Sequence, residues 1–418
     1  MNKLISNNYL RSALSGTLSV FLAAPALFLA APALAGGPAF TGIIAEANSA
    51  ESAFAAPAGM SRLSGTRITV QGLAALPQAK FDVDENKTTV DGGDPDKGED
   101  PIIIPSLYYV RQLNDKWHAG FSLTVPSGFG SNYGSEWAGR YQTVDYSLVY
   151  VALTPAVAYR VNDKLSLGVG VGINYTAEDS ETKLRQPLGE TDGKISSDLD
   201  GVGVNVTLSA LYEFNQHTRA GIAWTSDSDA DLEGNIKLRK LGPVLDPILT
   251  EKGLKNINTE LTNTLPQRVV AGIYHEFASG NFFTVDAMWM KFSDFTISDI
   301  KLEGEDVNVS APEIYDDIGA LTIGAGFPVN DRLTYRVGAM YLSSIVDDDD
   351  RTLSMRMDAM WGVGVGAEYQ LGENRSVDVN ANFMNVGEAP VDVDGSNGRV
   401  VGESNDPYAF LFELSYHF

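Results

Sequence analysis

The last eleven residues, Tyr408 to Phe418, limit the possible folds more than any other stretch of the chain. Tyr408, Phe410, Phe412, Leu414, Tyr416 and Phe418 fall on one face of an extended strand. Ala409, Glu413, Ser415 and His417 put small or polar groups on the other, since strand side chains alternate with period two. In water so greasy a terminal strand is an adhesive edge. A second protein layer or lipid has to cover it.

The same alternation recurs upstream. "VGVNVTLSALYEF" from Val202 places Val202, Val204, Val206, Leu208, Ala210, Tyr212 and Phe214 on one face, and "LSLGVGVGINYT" from Leu165 repeats the scheme with glycines opposite. "WGVGVGAEYQL" from Trp361 and "VDVNANF" from Val377 continue it. Each reads as a strand with one apolar and one small or polar face.

Turn signals pair these strands. Short turns are marked by Asn114-Asp115-Lys116, Asn162-Asp163-Lys164, Asn215-Gln216-His217, Ala278-Ser279-Gly280-Asn281, Asn330-Asp331 and Gly372-Glu373-Asn374. Longer polar stretches separate the pairs at about 81–100, 127–142, 178–198, 239–258, 300–312, 346–352 and 390–405. The expected strands are 67–80, 101–113, 117–126, 143–161, 165–177, 199–214, 218–237, 259–276, 282–299, 313–328, 332–345, 353–371, 375–389 and 406–418. An even number of strands, with short turns at one end and long loops at the other, describes an all-β, 14-stranded antiparallel transmembrane barrel. Lipid offers no hydrogen bonds, so the sheet must close. Closure pairs Tyr408–Phe418 with the first strand and turns its aromatic face to acyl chains. The rival, a secreted β-sandwich or propeller, needs shorter strands and a second layer over each apolar face.

The remaining bounds agree. Lys3 and Arg11 precede an apolar run from Leu18 to Ala31, and Ala33-Leu34-Ala35 is a small-x-small cleavage site; 1–35 reads as a signal peptide. No later stretch has the roughly 18 apolar residues of a membrane helix. The chain has no cysteine, which excludes disulfides and thiolate chemistry, and a net charge of −24, which argues against nucleic acid as partner. His118, His217, His275 and His417 show neither metal spacing nor a partnered serine, so neither catalysis nor a metal or other cofactor is expected.

In this frame the chain resembles the FadL/TodX family of outer-membrane transporters for long-chain fatty acids and aromatic hydrocarbons. The landmarks run in family order over nearly the whole chain: "APAGMSRLSG", "VPSGFGSNYGSEWAGRY", "AYRVNDKLSLGVGVGINY", "FNQHTRAGIAWTSD", "LPQRVVAGIYHEF", "YRVGAMYLSS" and "AMWGVGVGAEYQLGENRSVDVNANFM". The resemblance implies a short N-terminal plug inside the lumen (36–66) and a barrel over 67–418. It also implies passive movement of a hydrophobic small molecule through three stages: capture by extracellular loops, an internal pocket beside the plug, and lateral exit by an inward kink in the third strand. Two departures bear on gating rather than fold. Gly36 to Ala58 is shorter than the family's usual plug, and Ala56 stands where the family usually has Asn before Pro57.

Candidate sites follow, each with its bland reading. In the loop from Lys237 to Leu254, Leu241, Val244, Leu245, Ile248 and Leu249 make one face of a short helix that Pro247 is expected to bend or break. That face is a capture surface or packs on neighbouring loops. Arg239 and Lys240, with Lys237, suit a fatty-acid carboxylate or lipopolysaccharide phosphates. Pro126, Ser127, Gly128, Phe129 and Gly130 end the third strand as the lateral gate, or simply lead into a loop. Phe54, Pro57 and Met60 line the inner pocket or pack the plug. Arg160 meets a carboxylate in the lumen or makes a structural ion pair. "DGGDPDKGED" (Asp91–Asp100) and "DDDD" (Asp347–Asp350) hold a divalent cation or are solvated loop. The expected partners are the hydrophobic substrate, outer-membrane lipid and lipopolysaccharide, and the barrel-assembly machinery that reads a terminal Phe. The chain is expected to act as a monomer. The alternative function is a hydrophilic porin with an open lumen.

Overall fold

Strands with one lipid-facing side can persist only if their edges find partners, and here the sheet closes on itself. The computed structural model describes residues 37–96, 98, 101–302, 314–353, 356 and 358–418; the signal peptide expected at 1–35 lies outside them. The wall comprises β1 (Thr66–Pro77), β2 (Ile102–Gln112), β3 (Trp117–Asn132), β4 (Asp145–Arg160), β5 (Leu165–Leu184) and β6 (Gly193–Glu213). Three broken strands follow: β7 (Thr218–Thr225 and Ser228–Arg239), β8 (Asn256–Leu265 and Arg268–Glu276) and β9 (Phe282–Met290 and Thr296–Leu302). β10 (Ile318–Pro328), β11 (Leu333–Leu342), β12 (Met360–Gly372), β13 (Arg375–Asn385) and β14 (Tyr408–His417) complete it. The 17 ladder segments therefore make 14 antiparallel strands.

Closure is made by β14, which pairs with β13 from Ser376↔His417 to Asn385↔Tyr408 and with β1 from Thr69↔His417 to Pro77↔Ala409. Phe418 N–H donates to the Ile68 carbonyl at 2.9 Å and so extends the seam by one residue. Phe410, Phe412 and Leu414 face outward, where Leu414 is 56% exposed, while Glu413 and Ser415 are buried inside. The outward faces of β5 and β6 carry Leu167, Val169, Val171 and Ile173 beside Val202, Val204, Val206 and Leu208, all exposed. A continuous apolar belt of this kind is stable only in lipid.

The expected strand ends need correcting on the loop side. The polar stretch 178–198 is mostly a ladder, since β5 and β6 remain paired out to Leu184↔Gly193. Beyond the bilayer a strand no longer needs an apolar outer face, so losing alternation does not end pairing. Within the stretches 81–100 and 390–405, Lys80–Val83, Val391–Gly395 and Gly398–Asn405 form a separate three-stranded sheet. Its Phe81, Val391 and Val400 pack with Tyr133, Trp137 and Leu353.

The segment from Gly37 to Leu63 runs inside the barrel at the end with the short turns. It forms two 3₁₀ turns (Pro38–Phe40 and Pro57–Arg62) and one helical turn, α1 (Ser52–Ala55). It lies so close to the wall that a Cβ on Gly168 would overlap the Ala58 amide, and one on Gly338 would overlap the Pro38 carbonyl. The inward glycines Gly168, Gly338, Gly364 and Gly366 leave room for this segment. Having no ladder of its own, the segment relies on wall side chains to satisfy its backbone groups. Ala39 N–H donates to Asn382 Oδ1 at 2.7 Å, Gly42 N–H to Asp286 Oδ2 at 2.7 Å and Ala58 N–H to Ser209 Oγ at 2.9 Å. Arg219 Nε and Nη2 donate to the Ala45 and Glu46 carbonyls at 2.6 and 2.5 Å.

Candidate functional site

Along β1, β9, β11 and β13 the inward face changes character at a similar height. On β9 it reads Thr284, Asp286, Met288, Met290, and on β13 Ser376, Asp378, Asn380, Asn382, Met384. On β11 it reads Arg336, Gly338, Met340, Leu342, and on β1 Thr69, Gln71, Leu73, Ala75. The polar part of each series meets the N-terminal segment. The apolar parts converge in one cluster above it, built from Leu73, Ile104, Tyr150, Val270, Met288, Met290, Met340, Met360, Met384 and Leu411 with Phe40 and Ile44. Five of the chain's nine methionines belong to this closely packed chamber, where the free space beside Phe40, Val270, Met288 and Met340 is about 10 Å³. Unbranched thioether side chains adapt to irregular apolar shapes, so this lining can repack.

The wall is interrupted beside this chamber. β3 pairs with β2 only from Leu107↔Leu123 to Gln112↔His118, whereas Ile102–Ser106 of β2 pair with β1 alone. β3 keeps its ladder to β4 as far as Asn132↔Asp145, with a register shift between Thr124 and Ser127. Pro126–Gly130 therefore does not end the third strand, as the sequence led us to expect. Proline removes one donor and displaces the register, so β3 leaves β2 while staying on β4. Ile102, Ile104 and Val125 at this interval belong to or pack on the chamber lining.

The other sequence candidates separate. Phe54 and Met60 are buried and pack with Tyr108 and Val110 of β2 and Ala152, Ala156 and Ala158 of β4, and Pro57 abuts Gly168 and Gly170. Among the described residues Arg160 makes no ion pair; its Nη2 donates to the Ser61 carbonyl and ties the segment to the wall. The loop helix α2 (Leu245–Glu251) starts late enough that Pro247 sits in its first turn, where a missing N–H costs nothing, so Pro247 does not break it. Leu245 and Leu249 are buried against Leu184, Leu199, Leu232 and Leu238, which is the packing reading, with Leu241 against the same cluster. Val244 and Ile248 remain half-exposed, and Arg239 and Lys240 are exposed. In the acidic runs, Asp91 bonds Arg140 Nη2 at 2.9 Å, which holds its carboxyl below the usual range, and Asp348 pairs with Arg351 at 2.6 Å.

A polar cavity of about 280 Å³ lies under the N-terminal segment, lined by Glu46, Glu51, Arg336, Glu368, Asp378 and His417 among others. Arg336 bridges Glu46 at 2.7 Å and Glu368 at 3.0 Å. Burial, with Asp378 adding to it and His417 opposing it, pushes the Glu51 carboxyl up to about 7.

The methionine chamber escaped the sequence reading because the residues come from many strands. The available signal was on the inward face itself, where apolar residues replace polar ones at corresponding depths.

A closed barrel with a lipid-facing belt and an apolar chamber behind a wall interruption defines an outer-membrane channel for hydrophobic solutes. The chain belongs to the outer membrane protein transport protein family (OMPP1/FadL/TodX), whose model matches residues 17–418. It is 23% identical over 347 residues to a long-chain fatty acid transport protein of Escherichia coli O6:H1, covering 75% of this chain and 76% of that one. It is 26% identical over 364 residues to the 47 kDa outer membrane protein of Pasteurella multocida, with 82% of each covered. Among solved structures, a Pseudomonas aeruginosa FadL homologue matches with a TM-score of 0.80 at 21% identity over 95% of this chain and 99% of that one. The Pseudomonas putida toluene transporter TodX matches at 0.66 and 17% over 90% and 97%. Members of this family are transport channels, not enzymes, and this chain is an outer-membrane protein.

Proposed function

We propose that the protein carries long-chain fatty acids passively across the outer membrane. The half-exposed Val244 and Ile248, beside Arg239 and Lys240, make first contact at the extracellular loops. The methionine chamber holds the acyl chain, the segment 37–65 plugs the lumen below it, and the β2–β3 interval releases the solute sideways into the bilayer. The observation that carries this reading is the continuity between the apolar chamber and the interval in the wall. Acyl surface passing from chamber to lipid stays out of water throughout, where each Å² is worth about 25 cal/mol. The name of the Escherichia coli relative supports fatty acids as cargo. A hydrophilic porin is disfavoured by the buried, hydrogen-bonded segment in the lower lumen.

The test uses the absence of native cysteine. Ser106 and Thr124 would be the next pair if the β2–β3 register continued past Leu107↔Leu123. A Ser106→Cys/Thr124→Cys double variant is expected to lose oleate uptake under oxidising conditions and to recover it on reduction. Undiminished uptake with the disulfide fully formed would remove the lateral exit.

A further inference from the structure

Arg268 opens the second half of β8 on its inward face, level with Met290 of β9. Its cross-strand neighbours are Thr225 and Met290, and the next inward residue, Val270, is part of the apolar lining. The guanidinium carbon lies 5.8 Å from the centroid of the Phe54 ring. Among the described residues it has no ion-pair partner, and no other charged group stands close enough to act on it.

The other inward arginines near the segment behave differently. Arg219 and Arg160 bond its backbone carbonyls, and Arg336 is clamped between two carboxylates. A guanidinium has five donors, and on this half-buried residue no carboxylate among the described residues takes any of them. At a position facing methionine and valine, an aliphatic residue would serve packing better.

The geometry points to Arg268 as the anchor for the carboxylate of the transported molecule. On the proposed transport reading, on which this rests, the acyl chain then lies along Met290, Met288 and Met340. The planar fork accepts a carboxylate in two parallel hydrogen bonds, while Phe54 contributes an aromatic ring to the same corner. The chain accordingly selects amphiphiles ending in a carboxylate over hydrocarbons of the same length.

The test measures binding of oleate and of oleyl alcohol, which differ only in the head group, to the full-length protein in detergent. Wild type is expected to bind oleate more tightly. Arg268→Met should weaken oleate about 10- to 100-fold, the range for a lost hydrogen bond to a charged group, and leave the alcohol within about twofold. Arg268→Lys should retain part of the preference. Equal losses for both ligands, or wild type binding oleate no tighter than the alcohol, would overturn the assignment while leaving hydrophobic transport standing. Wild type binding neither would overturn the transport reading and the anchor with it.

Discussion

The two halves of the lumen are lined by the same strands yet built on opposite principles. In the lower half the segment from Gly37 to Leu63 is fixed by directional contacts: glycines that admit its backbone, Asn382, Asp286 and Ser209 that accept its amides, and the Glu46–Arg336–Glu368 bridge. In the upper half the methionines and leucines of the chamber pack without directional contacts, and Tyr150 donates to Asn263 Oδ1 at 2.7 Å. A segment of the chain itself can be matched atom by atom. A guest that must enter and leave is better served by soft, non-directional walls.

The sharpest way to break this contrast is Arg336→Met. The change leaves the buried Glu46 and the half-buried Glu368 without their cation, at a cost of about 3 kcal/mol, enough to release the segment. A large, steady ion conductance should then appear in planar bilayers, where wild type passes little current. Unchanged conductance would mean that the bridge does not hold the segment.

The upper half should tolerate what the lower half does not. Met288→Leu and Met340→Leu are each expected to cost less than about 1.5 kcal/mol. The midpoint of thermal unfolding in detergent should stay close to that of wild type, while oleate affinity shifts by a few-fold. A large drop in the midpoint would show that the chamber is as tightly specified as the region beneath it.

The smallest effect concerns pH. Glu51 has its carboxyl raised from 4.5 to about 7 in the docked segment, so between these values the docked form holds a proton that a released one lacks. Docking is therefore fully supported below pH 4.5 and weakens as pH rises toward 7. Amide exchange in residues 47–55, corrected for intrinsic rate, should be slower at pH 5 than at pH 8. Glu51→Gln should remove that difference. Glu46, Glu368, Asp378, Arg336 and His417 share the cavity, so a difference that persists in the variant assigns the effect to them.

Much of the wall could be read directly because lipid imposes a local rule. Every second residue of Val202–Phe214 or Tyr408–Phe418 had to be apolar, and Asn-Asp turns marked one rim. The same rule stopped helping where lipid stops, which is why 178–198 looked like loop although β5 and β6 remain paired there. In Pro126–Gly130 the missing donor was visible, but not that β3 would stay bonded to β4 while leaving β2. In the extracellular loop, spacing placed Leu245 and Leu249 on one face correctly without revealing that Leu184, Leu199 and Leu232 cover them. Phe54 and Met60 pack against β2 and β4, contacts that no local pattern announces, and Arg268 passed unnoticed within "LPQRVV".

By itself the sequence determined a closed, lipid-solvated sheet and the face of each strand turned to the bilayer, because period two is a property of neighbouring residues alone. Only the tertiary structure decided which inward residues share a depth, and hence that methionines from β9, β11, β12 and β13 enclose one chamber. Depth depends on strand tilt and on register between residues far apart in the chain, and no local pattern records either.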